Sequence, residues 1–417
     1  MTSHDDSPSA QSSPQPRRRR RRRKRKQPNQ SNQAKQQGQQ SQQGQQQQRQ
    51  QRQQQQTSQN QQNRRPKNHV ASPAEAPYVA VAIQTSGIHP TTARLVAIGA
   101  ATFDAQGNEI DYWHTTLRID EDPGPAHLHG LTSADLANSP RMGRILAKLN
   151  RVISGRILLV HNAPFSWGFI AHEADKARRQ AKKNNRNRRG NNRARQRNQL
   201  PKLTPELVVD TCATGYRQGR HFSDTRLRAV AGLYGASDQP AVAGSARKQE
   251  AARTADDVRL IANLFRAQGG FATEAADVAG ISAELHNNTQ FSSHTLVELN
   301  ADQVGLQVPQ ALLDATKAPR LIENPGVYQP GSQLVTGMEF SVAEQTEIPP
   351  EELVNQAVAA GLTYTPKVTR ELSLLVCNQP VTVTPEELTG KAMHASRKNI
   401  PIVSDQAFLR LLREMTS

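Results

Sequence analysis

The stretch "VAVAIQTSGIHPTTARLVAIGA", Val79 to Ala100, is the clearest structural signal in this 417-residue chain. It predicts a buried strand, a turn at Thr85-Ser86-Gly87 and a second buried strand. Because residues i and i+2 of a strand face the same side, Ala82 and Gln84 lie on one face near the end of the first strand. Neither side chain carries a charge, so this strand end offers no carboxylate for chemistry.

The neighbouring segments extend this stretch into a mixed α/β domain over residues 78–270. "RLVAIGAATFD" and "EIDYWHTTL" predict two more strands of an antiparallel meander. Helical spacing in "PRMGRILAKLNRVI" follows, and the strand patterns "RILLV" and "ELVVDT" then alternate with helical patterns. A meander followed by such alternation predicts a mixed sheet covered by helices.

A second unit is predicted at the end of the chain. Residues 331–417 alternate short strand and helix patterns, which predicts a small α/β domain with a mostly parallel sheet. Between the two domains, residues 271–330 are predicted to form a partly ordered linker with one helix near residues 309–317.

Positive charge is concentrated in two segments. The formal net charge is +17, yet residues 1–70 carry about +14 and residues 176–202 about +12, which leaves about −9 elsewhere. Such segments favour an anionic partner, and nucleic acid is favoured over membrane because no long apolar or amphipathic anchor accompanies the charge. A cytoplasmic protein is expected, with association with the nucleoid or ribosomes left open.

Residues 1–77 are predicted to be a disordered Arg/Gln-rich tail, and residues 176–202 a flexible surface insertion. Both are expected to hold a DNA or RNA backbone without reading bases, since they lack aromatic residues. The alternative for the tail is a purely solubilising role. The predicted contacts are Arg17, Arg18, Arg19, Arg20, Arg21, Arg22, Arg23, Lys24, Arg25, Lys26, Arg186, Arg188, Arg189, Arg193, Arg195 and Arg197.

Residues 78–269 resemble the DEDD exonuclease superfamily, in particular the epsilon-type proofreading domains of bacterial DNA polymerase III. The family motif Asp-x-Glu-Thr-Thr-Gly stands here as "AIQTSG", so Ala82 and Gln84 replace its two acids. "HLHGLT" and "LVHNAPFSWGFI" are similar to the next two blocks, with Ser166 in place of an Asp. In the last motif Ala252 replaces a His and Asp257 is retained. The resemblance implies a ribonuclease-H-like fold.

In this family four acids hold two magnesium ions that activate water and stabilise the leaving oxygen. With four of five positions substituted, we expect no catalysis, no metal cofactor and a nucleic-acid-binding pseudo-enzyme of DNA replication or repair. The remaining cleft would be formed by Thr85, Ser86, Gly87, His161, Asn162 and Phe165. Two alternatives stay open: an active 3′–5′ exonuclease using Mg²⁺ or Mn²⁺ with Asp210, Asp256 and Asp257, and a protein-interaction scaffold.

The C-terminal unit resembles a BRCT domain through "GMEF", "SLLVCN", "GKAMHASRKNIPIVSDQAF" and a closing amphipathic helix. The resemblance implies a protein partner, with contact with a DNA end as the open alternative. Phosphopeptide-binding BRCT domains place Ser/Thr-Gly at the end of the first strand and a Lys at the start of the second helix. Here Ala343 and Glu344 occupy the first pair and Lys391 the other position. Because the acid would repel phosphate, phosphopeptide binding is not expected.

Overall fold

The computed structural model describes residues 70–186, 199–236, 249–320, 322–379 and 383–416. Residues 70–417 form one compact unit. The predicted contacts Arg17 to Lys26 and Arg188 to Arg197 lie outside the described residues. Among the helices that are described, none is long and apolar enough to cross a membrane.

A six-stranded mixed sheet forms the centre of the first domain, in the order β3-β2-β1-β4-β5-β6. The first three strands are antiparallel, β4 and β5 run parallel to β1, and β6 is antiparallel to β5. The strands are β1 Tyr78–Thr85, β2 Leu95–Phe103, β3 Glu109–Thr116, β4 Ile157–Val160, β5 Leu207–Asp210 and β6 Ser293–His294. The predicted meander and mixed sheet are therefore confirmed.

Helices cover both faces of this sheet, and the alternation along β1 decides what each face packs against. Val79 and Val81 belong to the cluster with α3 and α4, whereas Tyr78, Ala80 and Ala82 belong to the cluster with α7 and α8. The helices are α1 Ala126–His129, α2 Ser133–Leu136, α3 Met142–Ile153, α4 Ala163–Arg186, α5 Thr211–Arg217, α6 Leu227–Leu233, α7 Glu250–Ala267 and α8 Val278–Asn287. Ala82 thus faces α7.

The predicted insertion at residues 176–202 needs correction at its start. Helix α4 continues through this segment to Arg186, while residues 187–198 lie outside the described residues. Lys, Arg, Ala and Gln are good helix formers, so a helix that is already nucleated by packing extends into this strongly basic segment.

The predicted linker at residues 271–330 is also more structured than expected. Besides the predicted helix, found as α9 Gln310–Lys317, it contains α8, strand β6 and a hairpin of β7 Leu299–Ala301 and β8 Gln307–Pro309. Its strands are two or three residues long, so they show too few periods to be recognised from hydrophobic alternation.

The C-terminal domain is a four-stranded, fully parallel sheet in the order β10-β9-β11-β12. Its strands are β9 Glu339–Val342, β10 Thr363–Tyr364, β11 Leu374–Val376 and β12 Ile402–Val403, and its helices are α10 Pro350–Ala359, α11 Gly390–Ser396 and α12 Asp405–Thr416. The predicted small α/β domain is confirmed, with the two-residue strand β10 as an addition.

Arg217 at the end of α5 joins the two domains. Its Nη1 donates to the carbonyl oxygens of Thr346 at 2.6 Å and Ile348 at 3.1 Å, in the segment that follows β9. Nearby, His294 Nε2 lies 3.1 Å from Glu351 Oε1. Because Arg217 is only 7% exposed, this contact is largely shielded from water.

Arg156 fixes the segment that precedes β1. Its fully buried guanidinium donates to the carbonyl oxygens of Ala76 and Arg151, both at 2.8 Å, and of Val152 and Ala71. Burial lowers the pKa of Arg156. Residues 70–77, predicted as the end of the disordered tail, are therefore packed against the domain, because a distant arginine satisfies their carbonyl groups.

Replacing Arg156 by Met should lower the free energy of unfolding by about 3 kcal/mol, because it leaves buried carbonyl groups without a donor. Urea denaturation measures this change. Limited proteolysis should at the same time show faster cleavage before Tyr78. Arg144→Met, a change of an exposed arginine on α3, is the matched control and should stay within about 0.5 kcal/mol. Equal stability and equal protection in both variants would contradict this role of Arg156.

Candidate functional site

The substituted first motif lies where β1 meets α7. Ala82 is 7% exposed and pairs across the sheet with Gly99 of β2. Gln84 is half-buried, and its Nε2 donates to Thr254 Oγ1 of α7 at 3.3 Å. A Cβ atom on Gly99 would lie 2.7 Å from Thr254 Cγ2, so the glycine permits α7 to approach the sheet closely. The side chain of Gln84 is therefore engaged by α7.

A hydrogen-bond chain continues from Gln84 away from the cleft. Thr254 Oγ1 donates to Glu250 Oε1 at 2.6 Å, and His114 Nε2 of β3 lies 3.0 Å from the same oxygen. Sequence reasoning missed Glu250, Thr254 and His114. The i, i+4 spacing of Glu250 and Thr254 on a helix was a local signal, but the contact with His114 joins residues that are far apart in the sequence.

The side chain of Ser166 forms a hydrogen bond at the N-terminus of α4. Its Oγ donates to the carbonyl oxygen of His161 at 2.7 Å, and the residue is 7% exposed. Asn162 has a φ of 60°, and its Oδ1 accepts from the Phe165 amide at 3.2 Å. Phe165 packs edge-on against Phe169 with ring centres 4.9 Å apart. Asn162 and Ser166 thus organise the start of the helix, and Ser166 offers no acid.

His161 is fixed by two partners. Its Nε2 lies 2.7 Å from the carbonyl oxygen of Thr225, and its Nδ1 lies 3.0 Å from Thr211 Oγ1. A carbonyl group only accepts, so Nε2 carries the proton. Burial lowers the pKa of His161, which favours the neutral imidazole. Hydrogen bonds within the fold therefore occupy both ring nitrogens of this expected cleft residue.

Asp210 at the end of β5 accepts four backbone hydrogen bonds. The donors are the amides of Asn162 at 3.0 Å and Ala163 at 2.7 Å, which open α4, and those of Cys212 at 2.9 Å and Ala213 at 3.2 Å, which open α5. The residue is 5% exposed. This carboxylate therefore caps two helices, which occupies the lone pairs that a metal ion would need.

Asp257, the retained acid of the last motif, is paired with a cation. Arg228 Nη2 of α6 lies 2.5 Å from Asp257 Oδ1, and each side chain is about one-fifth exposed. Ala252, five residues earlier on α7, is exposed. In the described part of the chain, no three His, Cys, Asp or Glu side chains converge to hold a metal ion. Asp210, Asp256 and Asp257 are therefore not brought together as the alternative ligand set requires.

The turn after β1 uses its hydroxyl groups locally. Thr85 Oγ1 donates to the Gly87 carbonyl at 2.8 Å, and Ser86 Oγ accepts from the Arg94 amide at 2.9 Å. Gly124, at a φ of +85°, lies so close that a Cβ atom would be 2.4 Å from the Ser86 carbonyl oxygen. The conformation of Thr85, Ser86 and Gly87 is therefore held by neighbouring backbone.

Arg94 neutralises the acid of α4 nearest to this turn. It lies 2.5 and 3.0 Å from the carboxylate oxygens of Glu173, and 2.7 and 2.6 Å from those of Glu121. The hydrogen bonds to Glu173 contribute most to the raised pKa of Arg94. Glu173 is 3% exposed and bound bidentately, so its carboxylate serves a structural ion pair.

In the C-terminal domain, Lys391 is bound to the end of the first strand. Its Nζ donates to the Val342 carbonyl at 2.7 Å and lies 3.3 Å from Ser341 Oγ. Burial lowers the pKa of Lys391. Ala343 follows without a hydroxyl group, and Glu344 adds a carboxylate. The ammonium group of Lys391 therefore binds the backbone at the position where a phosphopeptide-binding BRCT domain would bind the phosphate group.

Comparison with known proteins identifies both domains. Residues 84–213 match the family model described as Exonuclease, and residues 330–412 match that of the BRCA1 C Terminus (BRCT) domain. The chain therefore combines an exonuclease domain with a C-terminal BRCT domain, as the motifs indicated.

The matched relatives are epsilon subunits of DNA polymerase III. The chain is 30% identical to that of Treponema pallidum (strain Nichols) over 105 residues, which are 25% of this chain and 48% of the relative. It is 30% identical to that of Haemophilus influenzae over 92 residues, 22% of this chain and 36% of the relative. The chain therefore spans half or less of the length of these relatives.

Solved structures with a similar fold include exonuclease X in complex with 5′ overhanging duplex DNA. That match has 15% identity and a TM-score of 0.32, covering 49% of this chain and 99% of the other. E. coli exonuclease I with a dT13 oligonucleotide matches at 15% identity and a TM-score of 0.30, covering 45% and 40%. Because these TM-scores are low, the assignment of the domains rests on the family models.

Proposed function

We propose that this protein binds nucleic acid through an exonuclease domain that does not hydrolyse phosphodiesters. One observation carries the proposal: polar side chains at the former catalytic positions are bound to protein groups. Gln84 is bound to Thr254, Ser166 to His161, and Asp257 to Arg228. Domains of this family typically bind divalent metal ions, but a carboxamide, a hydroxyl group and an ion-paired acid do not fit them.

The same substitutions favour retention of a nucleic-acid strand. Two carboxylates and a further acid are absent from the cleft, so less negative charge opposes a phosphate backbone. The basic segments at residues 17–26 and 176–202 add salt-sensitive attraction. The epsilon-subunit relatives support a role in DNA replication or repair, whereas the cationic segments alone do not discriminate DNA from RNA.

The purified protein should leave 5′-labelled DNA and RNA oligonucleotides intact with Mg²⁺ or Mn²⁺. A variant with Ala82→Asp, Gln84→Glu, Ser166→Asp and Ala252→His should release nucleotides from the 3′ end, because it restores the ligands and the base. Adding Arg228→Gln should increase that rate, since it removes the ion pair between Arg228 and Asp257. Gel analysis of time courses measures both effects.

The control for the restored nuclease is the same variant with Asp257→Asn, which should be inactive. Cleavage by the original protein that is lost on Asp257→Asn would overturn the proposal and support the active exonuclease. Cleavage that survives this change would indicate a contaminating nuclease, which a second purification on a different affinity tag resolves before either conclusion is drawn.

Replacing the ten cations Arg17 to Lys26 by Gln should weaken binding of a single-stranded oligonucleotide. Each lost phosphate contact should reduce the slope of log K against log [NaCl] by about 0.7. Fluorescence anisotropy at several salt concentrations measures the slope. Deleting residues 1–16, which contain two acids and no Lys or Arg, is the control and should not reduce it. An unchanged slope after the ten substitutions would leave only the solubilising role.

We further propose that the BRCT domain binds a protein partner without requiring phosphorylation. The original protein should show no enrichment of phosphoserine peptides over their unphosphorylated forms from a degenerate peptide library. Ala343→Ser with Glu344→Gly should gain such enrichment, because it supplies a hydroxyl group and removes a repelling carboxylate. Enrichment by the original protein that is lost on Lys391→Met would contradict the proposal.

A further inference from the structure

Arg253 on α7 is a buried cation with two donor nitrogens that are unsatisfied within the described residues. The residue is 7% exposed, and its Nε and Nη2 are buried without a hydrogen-bond partner. A buried charge without compensating hydrogen bonds is unfavourable by several kcal/mol. A bound anion would provide the missing acceptors.

The position of Arg253 places it beside the substituted motif. It lies between Ala252, at the former His position, and Thr254, which contacts Gln84. Asp257, Leu260 and Leu264 follow at four, seven and eleven residues, so they share a helix face with Arg253.

That face is directed toward α6. Asp257 pairs with Arg228 of α6, and Leu260 and Leu264 pack in one cluster with Val230 and Ala231. Arg253 is therefore one turn of helix away from the Arg228–Asp257 ion pair, at the end of α7 that carries the degenerate catalytic motif.

The acids on neighbouring turns of α7 are already engaged. Asp257 is ion-paired with Arg228, and Glu250 accepts from Thr254 and contacts His114. The anion that completes Arg253 must therefore come from outside these groups. A guanidinium presents parallel N–H donors that match two oxygens of a phosphate group.

We propose that Arg253 binds a phosphate group of a nucleic-acid strand at this end of α7. The proposal rests on the proposed nucleic-acid binding and adds the chemistry of recognition: a fixed guanidinium, rather than a metal ion, receives the strand. Arg253 is then a binding residue. Its Nε and Nη2 have no acceptor in the described part of the free protein because the phosphate group of the ligand provides the acceptors.

Binding of a fluorescent single-stranded oligonucleotide to the full chain tests this proposal across a series of salt concentrations. Arg253→Met should weaken binding and reduce the slope of log K against log [NaCl] by about 0.7, the value for one phosphate contact on a single strand. Arg253→Lys should largely restore the slope, because it keeps the charge. Arg144→Met removes an exposed cation from α3, on the opposite face of the sheet, and should leave the slope unchanged.

Thermal unfolding without nucleic acid separates a binding role from a structural one. Arg253→Met should unfold at the same or a higher temperature than the original protein, because it removes an uncompensated buried charge. Inorganic phosphate, compared with NaCl at equal ionic strength, should raise the unfolding temperature of the original protein but not of Arg253→Met if a free phosphate group suffices. If only the oligonucleotide raises it, the site takes a phosphodiester within a strand.

The outcomes distinguish this inference from the proposed function. Failure of the original protein to bind any oligonucleotide would overturn the proposed function and the inference with it. Binding with the same salt slope in Arg253→Met would overturn the inference alone. A lower unfolding temperature of Arg253→Met together with an unchanged slope would show that the guanidinium serves the fold.

Discussion

The carboxylate of Asp210 is the constraint on which the arrangement of the two domains depends. It accepts amides at the N-termini of both α4 and α5, where the partial positive charges of two helix ends meet. Asn162 directly precedes α4, and Phe165 and Ser166 lie in its first turn. Helix α5 ends at Arg217, which binds the backbone after β9. One side chain thus sets both the wall of the cleft and the attachment of the BRCT domain.

Charge balance stabilises the buried acids near the positions that the sequence aligns with the family's catalytic motifs. An acid left buried and unpaired would destabilise the protein by about 3–5 kcal/mol. Asp257 and Glu173 are instead paired with Arg228 and Arg94, while Asp210 is compensated by backbone amides. Among the described residues on α7, Arg253 differs, because its Nε and Nη2 have no hydrogen-bond partner.

Much of the fold could be predicted because its signals are local. The alternation in β1 and β2 and the motif around Ala82 and Gln84 involve residues close together in sequence, and each remains readable after the catalytic residues are replaced. The continuation of α4 to Arg186 was missed because a charged, polar composition is typical of a loop. The conformation depends instead on helix propensity and on the packing of the N-terminal part of α4.

The features that determine the chemistry of the site could not be predicted, since they depend on pairs distant in sequence. His114 meets Glu250, Arg94 meets Glu173, and Arg217 meets Thr346 only after the chain has folded. The sequence predicts which positions differ from the family motif. Whether the remaining polar groups are free to bind substrate depends on these long-range partners.

The contact of Arg217 with the BRCT domain also connects the two candidate binding surfaces. A cavity of about 120 Å³ lies beside it, lined by Asp210, Tyr216 and Arg217 from one domain and by Glu344 and Glu351 from the other. Glu344 lies next to the end of β9, which Lys391 contacts. Asp210 caps the N-terminus of α4, which forms one wall of the cleft. Glu344 therefore lies within two contacts of the residues that shape the cleft. This proximity connects the two domains physically, through α5 and the carboxylate that caps it.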